Sequence, residues 1–173
     1  MNPNVTVRRA TVQDAARLSE LGARTFADAY RGALPQEHID DYVARRYRPE
    51  RQSQELSSPE ALYLLAEVDG APAGFALLLA ERPGGEAAGR NPVRLDKLYL
   101  EQRWTGRGVG DALMRACLDE GRRRGHDVIW LTVWQKNLRA QKFYERWGFR
   151  HHGLHPFEFG GEVLMDFALL REL

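Results

Sequence analysis

One run of this sequence is built to meet an anion. Thr105-Gly106-Arg107-Gly108-Val109-Gly110 lies between an apolar stretch and a stretch with helical spacing. At a helix N-terminus the backbone N–H groups lack intrahelical acceptors, and the helix dipole favours negative charge. Glycines let a phosphate approach the backbone closely. A phosphate or pyrophosphate is therefore the natural ligand. The dinucleotide fingerprint G-x-G-x-x-G would need glycine at position 111, which is Asp111, and Thr132-Val133-Trp134 closes the next strand without an acid for a ribose. The Gly-Lys-Ser/Thr of a Walker loop is absent. Taken alone, the run is equally explained as a glycine turn that tightens a strand-to-helix connection.

The elements that must position this turn follow from periodicity. Val5 to Ala10 alternates as a first strand. Thr11 and Asp14 form a capping-box pattern, with Asp in place of Glu, before a helix to about Tyr30. Pro35 suits the first turn of a second helix, and Pro49 to Ser57 reads as a short third. Ala61–Val68 and Gly74–Ala80 are strands around the hairpin signal Asp69-Gly70. Residues 83–92 read as a flexible loop. Val93–Leu100 is a strand, the turn follows, and Val109, Leu113, Ala116 and Cys117 place a helix to about Arg124. A strand Val128–Trp134, a helix Leu138–Trp147 and two strands, Phe149–Phe159 and Glu162–Leu170, complete an α/β chain with a mixed sheet.

Composition narrows the function classes. At 173 residues the chain reads as one domain, residues 1–173, with room for one sizeable core. The 25 basic and 24 acidic side chains nearly cancel, which argues against a nucleic-acid partner, since such domains carry a basic excess. One cysteine, Cys117, rules out a disulfide framework and a cysteine-based zinc site. The longest apolar runs fall short of the roughly 20 residues that span a bilayer, so no membrane partner is expected. The first residues lack the basic and apolar regions of a signal peptide, which makes the cytoplasm the expected location.

Two motifs in order carry a family resemblance. Leu98-Tyr99-Leu100, a short spacer, the glycine turn and the helix resemble the signature of the GNAT superfamily of acyl-CoA-dependent N-acetyltransferases, Gln/Arg-x-x-Gly-x-Gly/Ala. Gly108 and Gly110 match its last two positions, while Thr105 departs from the first. The second block, Asn137, Ala140, Phe143-Tyr144 and Gly148-Phe149, is similar to the family's Asn-x-x-Ala-x-x-Phe-Tyr-x-x-x-Gly-Phe segment. Thr25-Phe26, Tyr30 and the C-terminal stretch from Phe157 through Glu162 and Asp166 resemble the bacterial spermidine/spermine acetyltransferase-like subgroup.

The resemblance implies a GNAT fold: a mixed, mostly antiparallel sheet of six or seven strands, splayed at its centre and flanked by about four helices. It implies acetyl-CoA as cosubstrate, no metal, direct transfer to a primary amine, and no acyl-enzyme. The backbone of Leu98, Tyr99 and Leu100 would pair with the pantetheine arm like an added strand. An N–H near Leu98 would polarise the thioester carbonyl. Thr105, Gly106, Arg107, Gly108, Val109 and Gly110 would hold the pyrophosphate, and Asn137 and Ala140 would flank the pantetheine. Tyr144 would protonate the leaving thiolate, a task that suits a phenol protonated at neutral pH; its plainer reading is a core aromatic beside Phe143.

An amine nucleophile must lose a proton before attack. Asp96, on the strand before the turn and on the same strand face as Leu98, is the candidate base; its plainer reading is a partner for Arg94 or another cation. Glu67 is a weaker candidate. Phe26 and Tyr30, one helical turn apart, wall an acceptor site or pack in the core. The acceptor is a polyamine, another small amine, or a protein amino group. A non-catalytic acyl-CoA-binding domain is the competing class. A homodimer through the last two strands is a partner that the resemblance admits. Cys117 falls on an apolar helix stripe, which suits packing. His151 and His152, adjacent on a strand, face opposite sides and do not jointly bind a metal there. Arg122, Arg123 and Arg124 complement a helix C-terminus.

Overall fold

The computed structural model describes residues 4–81 and 89–173. Its strands are β1 (Val5–Arg9), β2 (Ala61–Val68), β3 (Ala71–Leu79), β4 (Pro92–Leu100), β5 (Val128–Val133), β6 (Arg150–Phe159) and β7 (Glu162–Glu172). Its helices are α1 (Ala15–Tyr30), α2 (Gln36–Arg46), α3 (Pro49–Leu56), α4 (Val109–Arg123) and α5 (Leu138–Arg146). Hydrogen-bonded neighbours in the sheet run β1-β2-β3-β4-β5-β7-β6. The expected mixed sheet is present with seven strands. Five helices are present among the described residues, the short Pro49 helix read from the sequence included, where the resemblance implied about four. Of the loop expected at 83–92, residues 83–88 lie outside the described residues.

The described chain falls into two compact units. The first holds residues up to Leu78 together with Lys97–Cys117. In it β1 pairs antiparallel with β2, Val5 opposite Val68 through Arg9 opposite Leu64. The Asp14 carboxylate accepts the Thr11 N–H at 2.9 Å, so the capping pattern turns the chain from β1 into α1 through a short 3-10 turn. The buried stripe of α1, Leu18, Leu21, Gly22, Thr25 and Phe26, follows helical spacing. Each large apolar side chain there contributes roughly 1.5–3 kcal/mol by leaving water. Phe75 of β3 and Val109, Leu113, Met114 and Cys117 of α4 are also fully buried.

The second unit holds Leu79–Asp96 and Leu118–Leu173. β5 pairs antiparallel with β7 from Val128 opposite Glu172 to Val133 opposite Phe167. β6 pairs antiparallel with β7 from Arg150 opposite Leu170 to Phe159 opposite Glu162, with a register shift between His151 and Gly153. The shift adds one residue, His152, to β6, so strict alternation of the adjacent histidines does not hold there. Trp130, Ile129, Leu131 and Phe149 are buried in this unit. The Asp127 carboxylate accepts the Arg90 and Asn91 N–H groups at 2.6 and 3.0 Å and ties the chain ahead of β4 to the start of β5.

Candidate active site

β4 is the strand around which the site residues gather, and its ladder with β5 is shorter than the strand itself. Its parallel ladder with β5 covers Pro92–Arg94 opposite Val128–Trp130, whereas the strand itself continues to Leu100. Beyond Arg94, Leu98, Tyr99 and Leu100 are half-buried. On the other side β3 comes very close: a Cβ on Gly74 would lie 2.7 Å from the Tyr99 carbonyl oxygen, so only glycine fits there. The Glu101 N–H donates to the Ala73 carbonyl at 2.9 Å and closes that side. A strand paired on one edge and released on the other offers backbone groups to an extended ligand.

The glycine turn follows directly. Gly106 and Gly108 have φ of 73° and 84°, the left-handed region that side chains avoid. A Cβ at either would meet open space, so the surface above the turn is clear of protein. The Ala112 N–H donates to the Gly108 carbonyl at 3.0 Å as the first bond of α4, so the N–H groups of Gly108, Val109 and Gly110 precede the intrahelical ladder. Alternating left- and right-handed residues at a helix N-terminus form a concave nest of donors. The Arg107 and Arg103 guanidinium groups lie 5.8 and 5.5 Å from the Trp104 ring; Arg103 pairs with Glu101 at 2.7 Å, and Arg107 sets a positive charge beside the turn. The residues present therefore fit a pyrophosphate. Thr105 is half-buried at the head of the turn.

Asn137 and Tyr144 belong to the second unit. Asn137 is the N-cap of α5, and its Oδ1 accepts the Ala140 N–H at 3.1 Å, so the Asn and Ala of the second motif are joined by a capping bond. Tyr144 is half-buried, with its ring edge-on to Phe143 and Phe149 at centroid separations of 5.5 and 5.7 Å. Those contacts fix the ring plane.

The two carboxylates singled out in the sequence differ in their surroundings. Asp96 Oδ1 lies 3.5 Å from the Arg94 Nε, so its plainer reading as a cation's partner is present in the structure. Arg94 also reaches Glu81 Oε2 at 3.2 Å. Glu67 sits in the first unit, where Arg8 donates to its Oε1 and Oε2 at 3.1 and 3.2 Å. The same guanidinium donates to both Asp14 oxygens at 2.9 Å. Those hydrogen bonds hold the Asp14 carboxyl down at about 2. Glu67 thus belongs to a structural cluster that ties β1, β2 and α1 together.

Phe26 is 2% exposed and stacks on Tyr42 at 4.2 Å, so it is a core aromatic, whereas Tyr30, tilted against it at 4.7 Å, is half-exposed. Tyr47 and Tyr99 join the same cluster, 6.1 and 6.2 Å from Phe26. Burial, and then the neighbouring tyrosines, push the Tyr99 phenol up. Beneath it Lys97 is buried, with Nζ 3.9 Å from Glu55 Oε2 and 5.8 and 5.9 Å from the Tyr47 and Tyr63 rings. Tyr42 of α2, Tyr47 just after it, Glu55 of α3 and Lys97 of β4 were missed as a group because no local spacing links residues on separate elements. Two further groups were also missed. Asp166 of β7 is buried with an Oδ1 that meets no hydrogen-bond partner, and His155 lies opposite it on β6. The signal was an acid inside the apolar run Val163 to Leu170, but its neighbours depend on strand register.

Cys117 is fully buried, and burial pushes its thiol up to about 12, which leaves it packed and unreactive. Arg122, Arg123 and Arg124 are exposed and pair with Asp119 and Glu120 within their own helix. Among the described residues, no three His, Cys, Asp or Glu side chains are grouped to hold a metal ion, and no helix is long and apolar enough to cross a membrane.

Comparison with known proteins supplies the family context. The acetyltransferase (GNAT) family matches residues 24–149. An uncharacterised N-acetyltransferase of Mycobacterium tuberculosis (strain H37Rv) is 36% identical over 160 residues, covering 92% of this chain and 98% of that protein. The spermine/spermidine N(1)-acetyltransferase of Bacillus subtilis is 30% identical over 95 residues, covering 53% of this chain and 60% of that protein. The crystal structure of the PaiA N-acetyltransferase from Thermoplasma acidophilum, in complex with coenzyme A, superposes with a TM-score of 0.82 at 22% identity. It covers 98% of this chain and 99% of that one.

Proposed function

The chain belongs to the GNAT acetyltransferase family, as an acetyl-CoA-dependent N-acetyltransferase, and from that premise we propose that it transfers acetyl directly to a small cationic primary amine, a polyamine being the leading candidate. The observation that carries the cosubstrate reading is the release of β4 from β5 after Arg94, on a strand that runs on into the glycine turn. The pantetheine arm pairs with the backbone of Leu98 and Leu100, and a backbone N–H there polarises the thioester carbonyl as it gains negative charge. The pyrophosphate rests on the N–H groups of Gly106 and of Gly108 to Gly110, with the Arg107 side chain beside it, the Arg107 N–H being given to the Trp104 carbonyl at 3.3 Å. Asn137 caps α5, which carries Ala140 and Tyr144. The Tyr144 hydroxyl, its ring held by Phe143 and Phe149, gives a proton to the departing sulfur.

Three features support a cationic acceptor. The stretch similar to the Bacillus subtilis spermine/spermidine enzyme spans 95 residues of this chain. Carboxylates outnumber cations around Arg94, where Glu81 and Asp96 share one guanidinium. Tyr30, half-exposed at the end of α1, adds an aromatic face that favours a cation and methylenes. Homodimerisation through β6 and β7 belongs to the same reading, with Leu154, Val163 and Met165 exposed on that hairpin. The deciding experiment is a screen of amines against acetyl-CoA, following free thiol. Turnover of small cationic amines above a lysine-containing peptide supports the proposal, and the reverse order removes it.

A further inference from the structure

One face of the second unit's sheet gathers more acid than its cations neutralise. Paired residues share a face, and residues two apart on a strand share it too. Arg94 pairs with Trp130, Trp130 with Leu170, and Thr132 with Ala168. Asp166 is two residues before Ala168, and His155 is opposite Asp166. Arg94, Asp96, Trp130, Asp166 and His155 therefore lie on one face. The ring contacts agree: the Arg94 guanidinium lies 4.9 Å over Trp130, and the His155 ring is 5.8 Å from it. The Trp130 Nε1–H donates to the Glu81 carbonyl at 2.7 Å.

Of the acids on this face, Asp166 is the one set up to accept a proton. Asp96 Oδ1 faces the Arg94 Nε, and Glu81 takes the other side of the same guanidinium. Asp166 is 8% exposed, and its Oδ1 meets no hydrogen-bond partner among the described residues. A buried carboxylate oxygen left in that state is costly unless a donor arrives. The groups that titrate or carry charge around it are His155 from β6, and Arg94, Asp96 and Glu81 from β4 and the chain before it. β5 presents Trp130 and Thr132, which do not titrate. Burial pushes the Asp166 carboxyl up, and the charges of His155 and Arg94 only partly oppose this. A carboxylate raised in this way is a better base toward an ammonium than an exposed one.

Building on the acetyl-transfer reading above, we propose that Asp166 is the base that receives the acceptor's ammonium group and removes its first proton. The N–H bond breaks with its electron pair left on nitrogen, and the proton moves to the Asp166 carboxylate. That pair forms the C–N bond at the thioester carbonyl carbon. On collapse the C–S bond breaks with its pair on sulfur, which takes the Tyr144 hydroxyl proton while Tyr144 regains one from the acetylated nitrogen. Asp166 then returns its proton to solvent. The chemistry calls for an acceptor that arrives as a cation, with its charge directed to a buried carboxylate.

The test compares two nucleophiles in the wild type, Asp166→Asn, Asp166→Glu and Asp96→Asn. Spermidine arrives protonated at neutral pH, whereas hydroxylamine arrives neutral and needs no base for its first proton. With spermidine, Asp166→Asn should lower kcat/KM by about 100-fold or more. With hydroxylamine it should stay close to the wild type, and Asp166→Glu should recover part of the spermidine activity. The spermidine loss in Asp166→Asn should shrink as pH rises and the free amine becomes abundant. Equal losses with both nucleophiles, or wild-type spermidine turnover in Asp166→Asn, would overturn the proposal. So would a selective loss that appears in Asp96→Asn and not in Asp166→Asn. Calorimetry with acetyl-CoA separates the two levels: failure of the wild type to bind it removes the acetyl-transfer reading itself, whereas normal binding with unselective losses removes only the role of Asp166.

Discussion

Arg94 and Trp130 form the last rung of the parallel ladder between β4 and β5, and the Arg94 guanidinium lies 4.9 Å over the Trp130 ring. The contact joins two roles of β4. Up to this rung the strand is held by β5, and Asp96 follows two residues beyond it. Past it the strand carries Leu98 to Leu100 toward the glycine turn. A cation over a tryptophan face contributes about 0.5–2 kcal/mol, depending on its exposure. The ladder thus ends on a stabilised contact.

The first prediction concerns the turn. Gly108 has φ 84°, and a Cβ there would meet open space. Gly108→Asp adds backbone strain of about 1–2 kcal/mol and sets a carboxylate at the proposed pyrophosphate site. The protein should stay folded and lose acetyl-CoA affinity by at least tenfold in calorimetry. Gly108→Ala shares the strain and lacks the charge, so it should lose clearly less. Equal affinities for the aspartate variant and the wild type would move the pyrophosphate elsewhere.

The second concerns Tyr144. Tyr144→Phe keeps the ring contacts with Phe143 and Phe149 and deletes only the hydroxyl. Acid–base assistance is worth roughly 100- to 10,000-fold. kcat should fall toward the lower end of that range while acetyl-CoA affinity and melting temperature hold. Wild-type kcat under conditions where chemistry limits the rate would make Tyr144 a packing residue.

The third concerns acid stability. Hydrogen bonds from Arg8 hold Asp14 at about 2, against its usual 3.8. The folded value is the lower one, so the pair's contribution is fully present above the unfolded value and is lost as pH falls through the folded one. The shift corresponds to about 2 kcal/mol. Asp14→Asn should therefore be less stable than the wild type by about that amount at neutral pH, and the gap should close between about pH 4 and pH 2. Urea melts of both proteins across that window check it. A gap that persists at pH 2 would show that the loss comes from capping or packing rather than charge.

Legibility of the fold in the sequence followed the range of the interactions. The glycine turn and the Thr11–Asp14 turn are local, and each lies at its expected position with strand and helix ends within a few residues, whereas the capping role of Asn137 was not read from the sequence. The Phe26 and Tyr30 pair was open between core and cleft because one helical turn does not say what covers it; Tyr42 of α2 covers Phe26 and leaves Tyr30 half-exposed. Glu67 carried no local sign of Arg8, its partner across β1 and β2. The acid face escaped for the same reason. Asp166 meets His155 only through the β6–β7 register, which includes an extra residue at His152, and alternation alone does not reveal that shift.

The last prediction concerns the acceptor. A polyamine presents several charges along an apolar chain, which the face of the half-exposed Tyr30 ring should favour. Tyr30→Ala removes an aromatic surface and leaves Phe26 stacked on Tyr42, so the α1 core should survive. Spermidine KM should then rise several-fold with kcat changed less, since cation–π contacts contribute about 0.5–2 kcal/mol. Salt should weaken spermidine binding in the wild type, because exposed charge pairs are screened over about 8 Å at physiological ionic strength. A monoamine of similar length with a neutral tail should show a shallower salt dependence and a higher KM. Assays of spermidine, spermine, that monoamine and a lysine-containing peptide side by side, at two salt concentrations, give the answer. If the peptide is turned over far better than either polyamine, the acceptor is a protein amine. If the monoamine matches spermidine at both salts, the second charge is not read, and the acid face serves the reacting nitrogen alone.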